Sequence, residues 1–130
     1  MSADAFYVYI AGPMSGYPSE YLANCARMSA VSRQFMDLGM CPINAAGDML
    51  EGLASPVPLT DEVFKRRSMD LLRLLALQDA AVFVIATLHR NGSVSGGVLA
   101  ECAEADKLGI PVVHSLGELL TLRGGADGVA

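Results

Sequence analysis

The residues best suited to chemistry follow a predicted strand and open a predicted helix. The apolar run Ala80–Ala86 predicts a strand buried on both faces, and Val98–Leu108 has helical character. Between them a polar loop ends at Gly96 and Gly97. Ligands of open parallel sheets bind at such turns, where the N–H groups of a helix start favour an anion. Glu101 follows about one turn later, so its carboxylate is a candidate nucleophile or general base.

Both candidate acids also have an ordinary structural interpretation. Glu101 can be a solvated glutamate that the helix dipole favours. Asp70 is the second candidate, and helical spacing places it at the edge of an apolar stripe. The other members of that stripe are Val63, Leu74 and Leu77. The alternative for Asp70 is a surface ion pair with Arg66, Arg67 or Arg73, worth a few tenths of a kcal/mol.

A second turn follows the first predicted strand, Phe6–Ala11. The loop Gly12–Gly16 contains two glycines and a proline, which suits a phosphate or sugar contact. It is not a P-loop, because no lysine follows at the required spacing, and it does not fit G-x-G-x-x-G. Tyr9 lies near the end of the strand, either at the site or as a core tyrosine with its hydroxyl satisfied.

The elements that must position these residues alternate along the chain. The pattern predicts a parallel sheet with helices on both faces, the arrangement of an α/β fold. The predicted strands are Phe6–Ala11, Met40–Asn44, Ala80–Ala86 and Ile110–His114. The predicted helices are Ser19–Leu38, Thr60–Gln78, Val98–Leu108 and Leu116–Leu122, each bounded by capping residues or glycines. A flexible tail is expected over 123–130.

Apolar spacing also predicts which helix faces are buried. In the first helix the expected buried residues are Leu22, Cys25, Met28, Ser32 and Phe35. In the second helix they are Val63, Leu71, Leu74, Leu75 and Leu77.

Composition bounds the class of protein. At 130 residues and 52% hydrophobic content, the chain is expected to be a single globular domain. The formal net charge of −5 disfavours nucleic-acid polymers as partners. The sequence lacks a signal peptide and a membrane-length apolar run, so we expect a cytoplasmic protein with no membrane partner. Three scattered cysteines and two isolated histidines imply no metal and no cofactor.

Several motifs together resemble the nucleoside 2-deoxyribosyltransferase superfamily, and more narrowly its small, often phage-encoded YIAGPM-type proteins. The matching segments are Tyr9-Ile10-Ala11-Gly12-Pro13-Met14-Ser15-Gly16, Asn44-Ala45-Ala46, Asp70, Asp79-Ala80-Ala81, Ser95-Gly96-Gly97-Val98-Leu99-Ala100-Glu101 and Leu108-Gly109-Ile110-Pro111-Val112. The resemblance covers roughly residues 6–114, and its first and Ser-x-Gly-x-x-x-Glu motifs are specific in combination.

The resemblance implies a flavodoxin-like three-layer α/β sandwich with a parallel sheet of four or five strands. It implies action on the N-glycosidic bond of nucleosides or nucleotides, with Glu101 attacking C1′ of the sugar or assisting water. It further implies that Asp70 contacts the base or sugar and that Tyr9 orients the glutamate. The implied substrate-binding residues are Gly12, Pro13, Met14, Ser15, Gly16, Asn44, Ser95, Gly96 and Gly97.

Two positions decide which branch of the superfamily the chain resembles. Transferases carry an aspartate six residues before the glutamate, whereas this chain has Ser95, as do the related 2′-deoxynucleoside 5′-phosphate N-hydrolases. In the first loop, Pro13 and Ser15 replace the hydrolase serine and arginine that bind phosphate. Phosphate binding would then require positive charge from Lys65, Arg66 or a neighbouring subunit.

The sequence therefore leaves three functions open. The first is hydrolysis of a (deoxy)nucleoside 5′-monophosphate or nucleoside, and the second is deoxyribosyl transfer between bases. The third is a nucleotide-binding or sensing module without turnover. The resemblance also implies a homo-oligomer, a dimer or larger.

Overall fold

The computed structural model describes residues 5–13, 18–47, 56, 61–89 and 92–126. These residues form four strands: β1 (Tyr7–Ala11), β2 (Cys41–Asn44), β3 (Ala80–Val84) and β4 (Val112–Val113). They also form four α-helices: α1 (Pro18–Asp37), α2 (Asp61–Leu75), α3 (Gly96–Leu108) and α4 (Leu116–Ala126). A 3₁₀ turn, Ala45–Gly47, follows β2.

The described strands form one parallel sheet in the order β2-β1-β3-β4. In the register, Tyr9 of β1 lies beside Ile43 of β2 and Val82 of β3, and Val82 lies beside Val112. This order is that of flavodoxin-like folds. The predicted α/β class and the four-stranded parallel sheet are confirmed.

Strand alternation divides the interior into two apolar layers. On one face of the sheet, Val8 and Ile10 of β1 pack with Met28 and Phe35 of α1 and Leu119 of α4. The second layer is built from the opposite face of the sheet together with α2 and α3. Its buried members include Tyr9, Leu72, Leu75, Val82 and Val98. The sheet is therefore covered on both sides.

The buried face of α1 is mostly as predicted, with one exception. Cys25, Met28, Ser32 and Phe35 are buried, but Leu22 is 55% exposed. The helix begins at Pro18, so Ser19, the predicted first residue, lies within the helix and does not cap it. Proline suits the first helical position, where no intrahelical N–H bond is made.

The predicted apolar face of α2 is largely wrong. Of the predicted residues, Val63, Leu74 and Leu77 are 51%, 58% and 79% exposed, whereas Leu75 is buried as predicted. Leu72, which was not predicted, is also buried. The helix region holds leucines at 71, 72, 74, 75 and 77. Such a cluster allows two overlapping apolar stripes, and contact with the sheet selects one of them.

Element ends differ from the predictions by a few residues. β4 spans two residues where five were expected, and α2 ends at Leu75. α4 continues to Ala126, past the predicted end at Leu122, and the Arg123 guanidinium donates to the Leu38 carbonyl. That contact ties the start of the expected tail to the end of α1, and residues 127–130 lie outside the described residues. Among the described residues, each helix is too short or too polar to cross a membrane.

Candidate active site

The chain leaves the sheet in opposite directions after its two central strands. α1 follows β1 and packs on one face, while α3 follows β3 and packs on the other. The two strands stay paired to their ends, where the Ile85 N–H donates to the Ala11 carbonyl at 2.9 Å. In this architecture, ligands usually bind at such a divergence, outside the carboxyl edge of the sheet.

Tyr9 and Glu101 meet on the α3 side of the sheet. The Tyr9 side chain is fully buried in the second layer, and its hydroxyl donates a hydrogen bond to Glu101 Oε2. Glu101 itself is half-buried. A hydrogen bond from a hydroxyl to a carboxylate is charge-assisted and stronger than a neutral one. The tyrosine, held by the central strand, therefore fixes one carboxylate oxygen of Glu101.

Ser95 caps the helix that carries Glu101. Its side chain is buried and its Oγ accepts from the Val98 N–H at 3.3 Å, while its carbonyl accepts from the Leu99 N–H. Its own N–H donates to the Thr87 carbonyl at 2.9 Å. The predicted substrate-binding serine thus has a structural role that follows from its position as N-cap.

The two glycines after Ser95 leave the helix start uncovered. Gly96 and Gly97 are exposed. A Cβ added at Gly96 would meet nothing within 4 Å, and one at Gly97 would meet only Ser95 Oγ, at 4.0 Å. Neither glycine has a positive φ. Their small size is therefore not required by packing in this structure, and it leaves the first N–H groups of α3 open to approach.

A short hairpin precedes Ser95, in a segment that was predicted only to be a loop. Leu88 and Val94 form an antiparallel bridge, and the His89 N–H donates to the Ser93 carbonyl at 2.7 Å. Gly92 at the turn has φ +88°. An Asn-Gly dipeptide at 91–92, a strong hairpin signal, would have predicted it.

Asp70 occupies a different environment from Glu101. Its side chain is 61% exposed and accepts from Arg73 Nη1 at 2.8 Å. Arg73 Nε also lies 3.7 Å from Glu104 Oε2 on α3, whose side chain is 16% exposed. The contacts shown for Asp70 match its ion-pair alternative. The structure does not bring its carboxylate to the Tyr9–Glu101 pair.

Glu104 was not among the predicted site residues, yet its side chain is only 16% exposed. It follows Glu101 by three residues, so both lie on the same side of α3. That spacing is the signal in the sequence that could have indicated a shared environment.

Asn44 has its side chain occupied within the fold. Its Nδ2 donates to Ser29 Oγ at 3.2 Å, and its Oδ1 accepts from the Ala46 N–H at 3.0 Å. These contacts fix the 3₁₀ turn after β2.

The loop after β1 is described only at its start. Gly12 is half-buried and Pro13 is fully buried, while Met14, Ser15 and Gly16 lie outside the described residues. A Cβ on Gly12 would make ordinary contacts with Met28 and Ile85, at 3.5 and 3.6 Å.

The basic residues of α2 were the expected source of phosphate charge. Lys65 and Arg66 are exposed, and the Arg67 guanidinium lies 5.7 Å from the Phe64 ring centroid.

Burial raises the pKa of the Cys102 thiol, and the neighbouring negative charges of Glu101 and Asp106 raise it further.

Across the described ranges, no group of three or more His, Cys, Asp or Glu side chains lies close enough together to hold a metal ion.

Comparisons with protein-family models, with curated proteins and with solved structures found no significant match to this chain.

Proposed function

We propose that this protein cleaves the N-glycosidic bond of a (deoxy)nucleoside 5′-monophosphate or nucleoside, with Glu101 as nucleophile or general base. The observation that carries the proposal is the hydrogen bond from buried Tyr9 to Glu101, on the side of the sheet that α3 covers. A half-buried carboxylate held in one orientation suits attack on, or stabilisation of, an electron-poor anomeric carbon.

In the covalent form of the reaction, a Glu101 oxygen bonds to C1′ as the C1′–N bond breaks. The bonding electron pair leaves with the base, which takes a proton from solvent. Water then attacks C1′, releases the sugar from Glu101 and loses a proton to the carboxylate. In the transfer form, an acceptor base replaces that water. In the general-base form, Glu101 takes the proton of a water that attacks C1′ directly.

The open start of α3 is the second element of the proposal. The exposed Gly96 and Gly97 leave backbone N–H groups accessible near the first turn, and the helix dipole favours an anion there. A 5′-phosphate is an anion that could bind this turn. We therefore propose that nucleoside monophosphates are better substrates than nucleosides.

The test measures the rate at which free base is released from a panel of ribo- and deoxyribonucleoside monophosphates and from the matching nucleosides. Each substrate is incubated with the wild-type chain and with Glu101→Gln, with and without an acceptor base. We expect release that depends on Glu101 and is fastest for monophosphates. Equal background for both proteins on every substrate would contradict the proposal.

A nucleotide-binding module without turnover is the second candidate. It is favoured by the outward position of Asp70 and by the capping role of Ser95, since both were expected to serve the substrate. Calorimetric binding of a monophosphate, with no base released after prolonged incubation, would select this alternative.

A further inference from the structure

Glu101 shares its side of α3 with a second acid. Glu104 follows it by three residues, a spacing that places both carboxylates on the same side of the helix. Both are sheltered from solvent, because Glu101 is half-buried and the Glu104 side chain is 16% exposed. Two negative charges in such a place repel each other, so each charge favours protonation of the other carboxylate.

Arg73 of α2 brings a positive charge to this pair of acids. Its Nε lies 3.7 Å from Glu104 Oε2, and its Nη1 donates to Asp70 Oδ1 at 2.8 Å. The guanidinium is therefore held by its own helix and reaches across to α3. A sheltered carboxylate is costly to keep charged without a cation beside it. The contact therefore matters more to Glu104 than to Arg73, whose side chain is 60% exposed.

Groups from three elements set the charge at Glu101. The titratable and charged side chains around it are Tyr9 on β1, Cys102, Glu104 and Asp106 on α3, and Arg66, Arg67, Asp70 and Arg73 on α2. Within this set, the contact between Arg73 and Glu104 joins a cation of α2 to the helix that carries Glu101. Arg73 is therefore placed to offset the charge of Glu104 one turn away from the reacting carboxylate.

We propose that Arg73 is a positioning residue of the candidate active site, which offsets the charge of Glu104 and thereby keeps Glu101 ionised and hydrogen-bonded to Tyr9. The inference rests on the proposed function, in which only the ionised carboxylate can attack C1′ or accept a proton from water. Without Arg73, the charge of Glu104 is left uncompensated, and Glu101 takes up a proton at a higher pH.

The test is a ¹³C NMR titration of the glutamate carboxyl carbons in the full chain at low ionic strength. The Glu101 signal is identified by its absence from Glu101→Gln. Arg73→Met removes the cation and keeps most of the side-chain length, so the midpoint of the Glu101 titration should rise by about half a unit. Glu104→Gln removes the repelling charge, so the midpoint should fall. The double variant removes both charges and should return the midpoint to near the wild-type value.

Two further variants serve as controls. Arg73→Lys retains the positive charge and should keep the midpoint near that of wild type. Arg33 and Asp37 form an exposed ion pair at 3.7 Å on α1, which covers the other face of the sheet. Arg33→Met should therefore leave the Glu101 titration unchanged. Circular dichroism checks that each variant is folded.

An unchanged midpoint in Arg73→Met or in Glu104→Gln would overturn the inference. A double variant that behaves like Arg73→Met alone would also overturn it, because Arg73 would then act on Glu101 without Glu104. In assays of base release, the acid limb of kcat/KM should move in the same direction as the NMR midpoint, and a loss that is equal at every pH would contradict the positioning role. The NMR readout does not depend on turnover, so shifted midpoints in a chain that releases no base would contradict the proposed function alone.

Discussion

The inner and outer sides of the α2–α3 layer use the same kinds of side chain differently. On the inner side, Leu72 is fully buried and the Glu101 carboxylate accepts a hydrogen bond from Tyr9. On the outer side, Leu74 is 58% exposed and the Asp70 carboxylate pairs with an exposed arginine. The environment of an acid, rather than its presence in a motif, therefore decides what chemistry it can do.

The largest expected effect separates the two acids. Glu101→Gln should lower base release by about a hundredfold to ten-thousandfold, because it removes the proposed nucleophile or base and such groups are typically worth 10²–10⁴-fold. Asp70→Asn should stay within about threefold, since an exposed surface pair contributes little. Both are measured as initial rates on the best monophosphate. A comparable loss in Asp70→Asn would show that the outer acid also serves the reaction.

Leu72 and Leu74, two residues apart on α2, allow the inner and outer sides to be compared by their effect on stability. Leu72→Ala should lower the free energy of unfolding by about 2–5 kcal/mol, because it leaves a cavity between α2 and the sheet. Leu74→Ala should change it by less than about 0.5 kcal/mol, as at most exposed positions. Urea unfolding at low protein concentration measures both and keeps association from contributing. Equal losses would mean that Leu74 is also buried.

Tyr9→Phe tests the link between the core and Glu101. Removing the hydroxyl should cost about 1–3 kcal/mol of stability, because the half-buried carboxylate loses its donor while the ring still fills its place. If the tyrosine orients Glu101, kcat should fall while KM changes little. Tyr7→Phe, on the same strand, is the control. Unchanged kcat in Tyr9→Phe would contradict the orienting role.

Ser95→Ala should destabilise the protein by about 1 kcal/mol, because the Val98 N–H loses its capping acceptor. Ser95→Asp restores a capping oxygen and should recover that stability, while its charge should weaken phosphate binding. Chemical unfolding together with KM for a monophosphate separates the two roles. Lost stability in both variants would count against capping as the main contribution.

The smallest expected effect uses Cys102 as a reporter of the charge on Glu101. The negative carboxylate contributes to the raised pKa of the Cys102 thiol. In Glu101→Gln that pKa should fall, so the thiolate fraction at pH 8 and the alkylation rate should rise a few-fold. The exposed Cys41 supplies an internal control, because its rate should stay constant. No change at Cys102 would mean that burial alone suppresses its reactivity.

The fold was largely predictable from the sequence, because apolar runs and glycine-ended helices are local signals. Gly39 and Gly109 end their helices with φ of +82° and +78°, as expected of glycines after a helix. The face of α2 was not predictable, because its leucines fit two stripes and only contact with the sheet decides between them.

The candidate site was predictable in part. Tyr9 and Glu101 lie 92 residues apart, so no short stretch of sequence predicts that they pair. The pairing was expected only from the family resemblance. The partner of Asp70 was among the three arginines named from helical spacing. The burial of Glu104 depends on how α2 and α3 pack together, which helical spacing within one element does not specify.

The edges of the sheet limit how this molecule can associate. The Cys41 N–H points inward to the Phe6 carbonyl, so the next residue, Pro42, directs its nitrogen outward and offers no donor at the open side of β2. On the opposite side, β4 is two residues long. Extension of the sheet by a strand from another molecule is disfavoured at both borders, a protection against aggregation.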